Sequence, residues 1–294
     1  MNLLKRLLAP LVALLAVSTL AEARETPKPA LWEVSDHDTT IYVFGTIHLL
    51  PKNYRWRTPK FDAAVERSQE LVIETIVDEK NPAAIMSAMA SLAFSPGLPP
   101  LADRVAPEKR AALAAAVQAS GLPPAALDRM ETWAAAFILL GNQFKQLGLE
   151  GAEGVEISLR RAFAAKGKPV AELESNLEQL SYFDRLPEKA QRDLLEGAIE
   201  KPREMSKQFK SMLSAWARGD VAGIARTFDR DLASSPDLQQ SLIRQRNANW
   251  SRWIEERMQK PGSVLLAVGA GHLAGQYSVL SMLEQRGYRV RRLQ

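Results

Sequence analysis

The 294-residue chain is 46% hydrophobic and 24% charged, which are ordinary values for a globular protein. Its 38 basic and 34 acidic residues leave a formal net charge of +4, and so small a surplus does not indicate a nucleic-acid-binding surface. The chain has no cysteine, which excludes disulfide bonds, thiol catalysis and cysteine metal sites.

The first 23 residues have the features of a secretory signal peptide. Lys5 and Arg6 form a short positive segment, residues 7–17 form an apolar core, and residues 21–23 (Ala-Glu-Ala) form a small-x-small cleavage site. A retained membrane anchor is the alternative, but the apolar core is short for a spanning helix. We expect a mature chain of residues 24–294 that is periplasmic or secreted, without a cysteine for lipid attachment or a later membrane-spanning run.

Strand and helix patterns alternate at both ends of the chain, and the middle is helical. Strands are predicted over residues 31–35, 40–48, 71–76, 170–173, 263–268 and 288–293. Helices are predicted over residues 58–69, 107–119, 123–147, 155–166 and 276–286, with another from about 81 and an interrupted helical pattern over 177–258. This order predicts an α/β fold with a central mixed β-sheet flanked by helices. A large helical insertion, at about 82–262, is predicted inside one domain of residues 24–294.

Two conspicuous stretches have structural explanations. Apolar residues recur at helical spacing in the middle of the chain and are predicted to pack in the core: Trp133, Phe137, Leu140, Phe144 and Leu147. The basic cluster from Arg286 to Arg292 alternates with other residues, which is typical of a solvated edge strand.

Two apolar runs near opposite ends of the chain both end in Gly-x-x-His. The first is YVFGTIH at 42–48 and the second is LLAVGAGH at 265–272. They contain His48 and His272, whereas the third and last histidine of the chain, His37, lies in a predicted exposed turn at 36–38. An imidazole just past a buried strand is well placed for metal binding or proton transfer, and glycine there permits close approach. The alternative is two ordinary histidines after unrelated strands.

Carboxylates follow other predicted strands. Glu74 comes late in the strand at 71–76, and Glu172 and Glu174 end the strand at 170–173. Ligands of open α/β sheets bind beyond the carboxyl ends of the strands, so these carboxylates and the two histidines are expected around one crevice. Two histidines and a carboxylate can hold a divalent metal with an open position for water, whereas a Glu–His pair can activate water without metal.

Each of these carboxylates also has a structural alternative. A buried Glu74 needs a partner, because an unpaired buried carboxylate is costly, and an ion pair with a helix arginine would satisfy it. Glu172 and Glu174 are also placed to cap the helix that is expected to begin near Asn176.

Segments spread over nearly the whole expected mature chain carry a family resemblance. They are VFGTIHLLP at 43–51, LVIET at 71–75, METWAAAFILLGNQFKQLGL at 130–149, GVEISLRRAFAAKGKPVAELES at 154–175, LEQL at 177–180, RQRNANW at 244–250 and VLLAVGAGHLAGQYSVLSMLEQRGYRV at 264–290. On these segments the chain resembles the TraB/GumN family of bacterial proteins, relatives of the Tiki proteases. Related folds include metal-free erythromycin esterase-like hydrolases and haem-binding lipoproteins.

The resemblance implies an α/β fold in which both GxxH motifs meet in one site. In the Tiki branch it implies a metal-dependent peptidase with the motif histidines as ligands. Carried over to this sequence, the motif histidines are His48 and His272, and the acidic partner is Glu74. Arg246 resembles a site arginine that binds a carboxylate or stabilises an oxyanion, with an ordinary helix-surface arginine as the alternative.

The leading hypothesis is a metal-dependent hydrolase, specifically a peptidase, in which His48, His272 and Glu74 hold a divalent metal or its water. Glu174 is a further acid or base, and Arg246 binds the substrate or the oxyanion. The alternatives are a metal-free ester or lactone hydrolase with Glu74 and His48 as base, and a non-catalytic metal- or haem-binding protein. The ligand set suits zinc, manganese or cobalt. The expected partner is a peptide or small-molecule substrate, and the sequence indicates neither its identity nor the oligomeric state.

Overall fold

The structure, a computed structural model, describes residues 26–78, 81–150, 154–232 and 235–294, so the predicted signal peptide lies outside the described residues. The strands are β1 (Leu31–Ser35), β2 (Thr39–Thr46), β3 (Leu50–Pro51), β4 (Glu70–Ile73), β5 (Leu149–Glu150), β6 (Val170–Glu172), β7 (Gly262–Gly269) and β8 (Val290–Arg292). The helices are α1 (Pro59–Arg67), α2 (Ala83–Leu92), α3 (Arg110–Ser120), α4 (Pro124–Asp128), α5 (Thr132–Gln146), α6 (Val155–Ala164), α7 (Asn176–Asp184), α8 (Glu188–Ala198), α9 (Pro202–Ala217), α10 (Val221–Leu232), α11 (Pro236–Leu238), α12 (Arg246–Met258) and α13 (Val279–Gln285). A π-helix over Gln239–Gln245 precedes α12, and a 3₁₀ turn over Ala270–Leu273 follows β7.

Among the described residues, six strands form one mixed sheet in the order β6-β4-β7-β2-β1-β8. The first four run parallel, whereas β1 is antiparallel to both β2 and β8. The predicted α/β fold with a central mixed sheet is therefore confirmed. The basic C-terminal strand β8 lies at the sheet edge, as its alternating pattern predicted, and Arg291 contacts Glu33 of β1 at 2.7 Å. Strand β6 comes from within the range 82–262, so the segment between β4 and β7 also contributes an edge strand to the sheet.

Helices cover both faces of the sheet. Successive residues of a strand point to opposite faces, and in the central strands these residues are apolar, so both faces need to be buried. Leu71 and Ile73 of β4 pack into one cluster with residues of α1, α6, α9 and α10, and Val72 packs into the other with α12 and α13. This packing holds the central strands from both sides and fixes the positions of their carboxyl ends.

Helices between β4 and β7 form apolar clusters of their own, one of them built largely from α3, α5 and α8. Trp133 of α5 is fully buried in a second cluster, where its ring stacks on Phe183 at a centroid distance of 6.4 Å. The other apolar residues predicted to pack beside Trp133 are half-buried: Phe137, Leu140, Phe144 and Leu147. None of the helices in the described part of the chain has both the length and the apolar character needed to cross a membrane.

The helix predicted over 123–147 is two helices, α4 and α5, and a buried arginine accounts for the break. Arg104 is fully buried, and its guanidinium donates to the carbonyl oxygens of Pro99, Asp128 and Met130 at 2.8, 2.5 and 2.5 Å. The last two carbonyls lie at the junction of α4 and α5, where a continuous helix would have supplied backbone N–H donors instead. Arg104 satisfies these carbonyls and so permits the turn.

Replacing Trp133 by alanine is expected to lower the free energy of unfolding by about 3–5 kcal/mol, because it empties a fully buried site. Urea unfolding followed by circular dichroism measures this loss. Phe94→Ala is the matched control, since Phe94 is 54% exposed and its removal is expected to cost about 0.5 kcal/mol or less. Equal losses for the two variants would contradict the core position of Trp133.

Candidate functional site

The carboxyl ends of β2, β7, β4 and β6 lie side by side at one edge of the sheet. His48 follows β2 by two residues, His272 lies in the 3₁₀ turn after β7, Glu74 directly follows β4, and Glu174 follows β6 by two residues. The structure thus brings together side chains that are separated by up to 224 residues in the sequence (272 − 48). Arg246, in the first turn of α12, joins them from outside the sheet.

His48 is held by Glu156 of α6. Its Nδ1 lies 2.7 Å from Glu156 Oε1, and the Thr46 hydroxyl donates to the same carboxylate oxygen. The imidazole is 65% exposed, whereas the Glu156 side chain is only 15% exposed. The negative charge of Glu156 raises the pKa of His48 to about 9, so at neutral pH the ring is mostly protonated and donates to the carboxylate.

Arg246 is the centre of a buried ion-pair network and is only 5% exposed. Its Nε donates to the two oxygens of Glu174 at 3.0 and 3.1 Å, and its Nη2 donates to Oε2 of Glu74 and Oε2 of Glu174 at 2.8 Å each. Its Nη1 lies 3.2 Å from His272 Nε2. The guanidinium also lies 4.7 Å from the ring centroid of Trp250, whose indole N–H donates to Glu174 at 2.9 Å. The helix-surface alternative for Arg246 is therefore wrong.

Glu74 is 5% exposed and has polar partners on both carboxylate oxygens. The Gly269 N–H donates to Oε1 at 2.6 Å, and the Gln179 amide donates to Oε2 at 3.2 Å beside Arg246. Oε1 also lies 3.9 Å from His272 Nε2. Burial alone would raise the pKa of Glu74, but other groups lower it to about 2. They are His272, which is itself charged only at the acidic pH where Glu74 titrates, the charges of Arg246 and His48, and the bond from the Gly269 N–H. Glu74 is therefore an ionised carboxylate at neutral pH.

The two carboxylates after β6 differ in their surroundings. Glu174 is 5% exposed and belongs to the Arg246 network, and burial raises its pKa against the effect of Arg246. Glu172 is exposed, and its carboxylate accepts from the Ile76 N–H at 2.6 Å. Neither caps α7, because Ser175 and Glu178 form the capping box of that helix.

His272 differs from His48 in burial and in charge. Only 8% of it is exposed, and its ring lies 4.5 Å from the Trp250 ring. Burial, helped by the positive charges of Arg246 and His48, lowers the pKa of His272 to about 3. His272 is therefore neutral at physiological pH. His37 lies apart in the β1–β2 turn with its side chain 86% exposed, as predicted.

The first glycine of each GxxH motif permits a close approach. A methyl group on Gly45 would lie 3.1 Å from Ala270 Cα, so its absence lets the turn that carries His272 pack against β2. A methyl group on Gly269 would lie 3.0 Å from Glu74 Oε1, 3.5 Å from His272 Cδ2 and 3.7 Å from His48 Nε2. The motif side chains and Glu74 therefore converge around Gly269.

A crevice of about 330 Å³ opens at this edge of the sheet. His48, Glu74, Glu156 and Gln179 supply polar groups to its wall, and the remaining lining residues are Leu49, Ile73, Thr75, Val77, Ile157 and Arg160. Its size is within the range of small-molecule binding sites. A larger open groove of about 600 Å³ runs along α9 and is lined by none of the predicted site residues.

The chain matches the sequence profile of the TraB/PrgY/gumN family over residues 30–292. It belongs to the TraB/PrgY/gumN family. No curated protein and no solved structure gives a significant match.

Several residues at the centre of this candidate site are absent from the set that the sequence predicted. Glu156 binds His48, Asn247 binds His272, Gln179 binds Glu74, and Trp250 binds Glu174. All four lie on helices α6, α7 and α12, and each is within a segment that carries the family resemblance. Their side chains gave no periodic or strand-end signal, so only the resemblance could have pointed to them.

As placed, the predicted ligands of this family member do not fit one metal ion. Among the described residues, the one group of three or more His, Asp and Glu ligand atoms within 4.8 Å of one another is Asp36, His37 and Asp38, which are exposed in the β1–β2 turn. At the site itself the guanidinium of Arg246 supplies the positive charge beside His272 Nε2 and Glu74 Oε2. Metal ligation by His48, His272 and Glu74 stays a prediction, and it requires Arg246 to move away.

Proposed function

We propose that this TraB/PrgY/gumN-family protein is a periplasmic hydrolase that activates water at His48. The observation that carries the proposal is the His48–Glu156 pair at 2.7 Å on the wall of the crevice. A carboxylate that accepts from one ring nitrogen fixes the orientation of an imidazole and leaves the other nitrogen for proton transfer. His48 Nε2 and the Glu74 carboxylate both lie close to Gly269, so the free ring nitrogen is near Glu74.

The proposed reaction is hydrolysis of an ester, a lactone or a peptide bond. Neutral His48 accepts a proton from the attacking water at Nε2, and the hydroxyl adds to the carbonyl carbon. The adduct then collapses: the acyl C–O or C–N bond breaks, and His48 returns the proton to the leaving oxygen or nitrogen. Glu156 stabilises the imidazolium between these two steps, because its carboxylate faces the Nδ1–H. Water supplies the hydroxyl of the acid product and the proton of the leaving group.

In this mechanism the Arg246 network holds the ionised Glu74 carboxylate next to His48. Arg246 makes hydrogen bonds through Nε and Nη2 and contacts His272 through Nη1, so each of the three guanidinium nitrogens already has a protein partner. We therefore assign Arg246 and Glu174 to positioning Glu74. Contact of Arg246 with the substrate or an oxyanion, and acid–base chemistry at Glu174, stay predictions.

Metal-dependent peptide hydrolysis is the second candidate. It is favoured by the same Glu156–His48 pair, since metal-binding histidines commonly donate their other ring N–H to a carboxylate. A zinc, manganese or cobalt ion would take His48 and Glu74 as ligands, with His272 joining only after Arg246 leaves Nε2.

One experiment separates these candidates. Protein purified without chelator is assayed on ester and peptide panels before and after EDTA treatment, and its metal content is measured. Turnover that survives EDTA and disappears in His48→Ala supports the metal-free proposal. Turnover that is lost with EDTA and restored by zinc, manganese or cobalt supports the metal-dependent candidate. Absence of turnover on every substrate, with a haem Soret band or stoichiometric metal that disappears in the histidine variants, would overturn the hydrolase and indicate a binding protein.

We also propose residence in the periplasm, supported by the positive segment, apolar core and cleavage site within residues 1–23. Expression of the full chain in a Gram-negative host is expected to give a periplasmic protein whose first residue is Arg24. N-terminal sequencing of the fractionated protein measures this. Recovery of uncleaved chain in the cytoplasmic fraction would contradict it.

A further inference from the structure

Asn247 of α12 has a fixed amide orientation. Its Nδ2 donates to the backbone carbonyl oxygens of Tyr277 at 2.7 Å and of His272 at 3.3 Å. Carbonyl oxygens only accept hydrogen bonds, so the nitrogen of this amide must face them. The amide oxygen is consequently left to face the His272 ring, where Oδ1 lies 2.6 Å from Nδ1. Asn247 is fully buried, so water does not compete for these contacts.

These contacts determine where the proton of the His272 ring lies. The Asn247 oxygen can only accept, so His272 Nδ1 must carry a hydrogen. On the other side of the ring, Arg246 Nη1 lies 3.2 Å from Nε2 and can only donate, so Nε2 must present its lone pair. An obligate acceptor faces Nδ1 and an obligate donor faces Nε2. Together they select the neutral imidazole with its hydrogen on Nδ1.

We infer that Asn247 fixes the tautomer of His272 and, through that ring, the position of Arg246. The Nε2 lone pair accepts from Nη1 and orients the guanidinium plane. In that orientation Nη2 reaches both Glu74 and Glu174 at 2.8 Å. Asn247 is thus a positioning residue that acts on Glu74 in the crevice wall through three contacts, by way of His272 and Arg246. The two GxxH histidines have different tasks: His48 faces the crevice, and His272 is a buried acceptor.

The charged groups around His272 come from three elements. Arg246 faces it from α12, Glu74 faces it from the end of β4 with Oε1 3.9 Å from Nε2, and His48 approaches from the end of β2. Among the described residues only Asn247 is hydrogen-bonded to Nδ1. Removing the Asn247 amide therefore takes away the acceptor of the buried Nδ1–H, and Arg246 at Nε2 is then the one remaining contact, among the described residues, that favours hydrogen on Nδ1.

The tautomer is measured by ¹⁵N NMR of the mature protein labelled at histidine and arginine, and the measurement does not depend on whether the protein hydrolyses a substrate. The chain has three histidines, so His37→Gln and His48→Gln suffice to assign the three rings. At pH 7 we expect His272 to show a protonated Nδ1 and an unprotonated Nε2. In Asn247→Ala the buried Nδ1–H has lost its acceptor, so we expect part of the population to carry the hydrogen on Nε2 instead. The Nε–H signal of Arg246 is expected to shift, because that population no longer accepts from Nη1.

The matched control is Asn249→Ala, which removes an amide from the same helix without touching His272, since Asn249 is bonded to Tyr182, Gln245 and Arg252. It is expected to leave the His272 and Arg246 signals unchanged. Asn247→Asp keeps the side-chain size and is expected to protonate both ring nitrogens, because a carboxylate would then face Nδ1. A wild-type ring with hydrogen on Nε2, or an Asn247→Ala ring identical to wild type, would overturn the inference.

Discussion

Replacing His48 by alanine is expected to lower kcat/KM by about 10²–10⁴-fold, the contribution of a positioned general acid–base, with little change in stability. Stability should be preserved because the His48 side chain is 65% exposed, so its loss leaves no cavity. The substrate is the best ester or peptide from the panels, and thermal unfolding is followed in parallel. His37→Ala is the matched control, since His37 is also exposed but lies in the β1–β2 turn, and it should retain full activity.

Glu156→Gln tests whether the same pair sets the pH dependence. Glu156 raises the pKa of His48 to about 9, and a base works only in its neutral form, so wild-type kcat/KM should rise with pH until about 9. Glutamine keeps the size of the side chain but removes the negative charge, so the pKa of His48 falls and the rising limb moves to lower pH. If the rise of kcat/KM with pH is the same in Glu156→Gln as in the wild type, or if His48→Ala keeps full activity, water activation by this pair is refuted.

The placement of the motif residues follows from the sequence because it depends on strands alone. Apolar runs of the length of a strand can be recognised in one sequence, and parallel strands present their carboxyl ends at one edge. The positions of His48, Glu74, Glu174 and His272 then follow from the ends of β2, β4, β6 and β7. The need of Glu74 for a cationic partner was also predictable, since a buried carboxylate is costly without one.

The partners on the helices were not predictable in the same way. Glu156 occupies the first turn of α6, where an acidic residue is favoured by the helix dipole with no further role. Its contact with His48 arises only when α6 packs beside β4 and β6. Asn247 and Gln179 are likewise ordinary polar helix residues until the fold turns them towards His272 and Glu74.

Arg104 illustrates the same limit within the fold. The apolar spacing from 123 to 147 predicted one helix, and only the tertiary position of a buried arginine explains why it is broken between α4 and α5. Strand positions and strand ends thus follow from local pattern. The partners that decide protonation and charge are supplied by helices whose packing the pattern does not specify.

Replacing Arg246 by methionine is expected to lower the free energy of unfolding by about 3–5 kcal/mol at neutral pH, because it leaves buried carboxylates without their cation. Glu74 and Glu174 are each 5% exposed, and both bind Nη2 at 2.8 Å. In the wild type the pKa of Glu74 is about 2, below its ordinary 4.5. Its pairing therefore stabilises the fold above pH 4.5 and is lost as the pH falls through about 2. In Arg246→Met the stranded carboxylates are expected to bind protons more readily, so the stability gap between variant and wild type should narrow as the pH is lowered.

Arg244→Met is the matched control, two residues earlier in the chain. The Arg244 guanidinium lies 3.4 Å from the Tyr277 ring centroid and makes no ion pair within the described residues, so its loss should cost about 2 kcal/mol at most. Adding Glu74→Gln to Arg246→Met should recover part of the lost stability, because one stranded charge is then neutral. Urea unfolding at several pH values measures all four proteins. A loss in Arg246→Met no larger than in Arg244→Met, and independent of pH, would show that Arg246 does not balance the buried carboxylates.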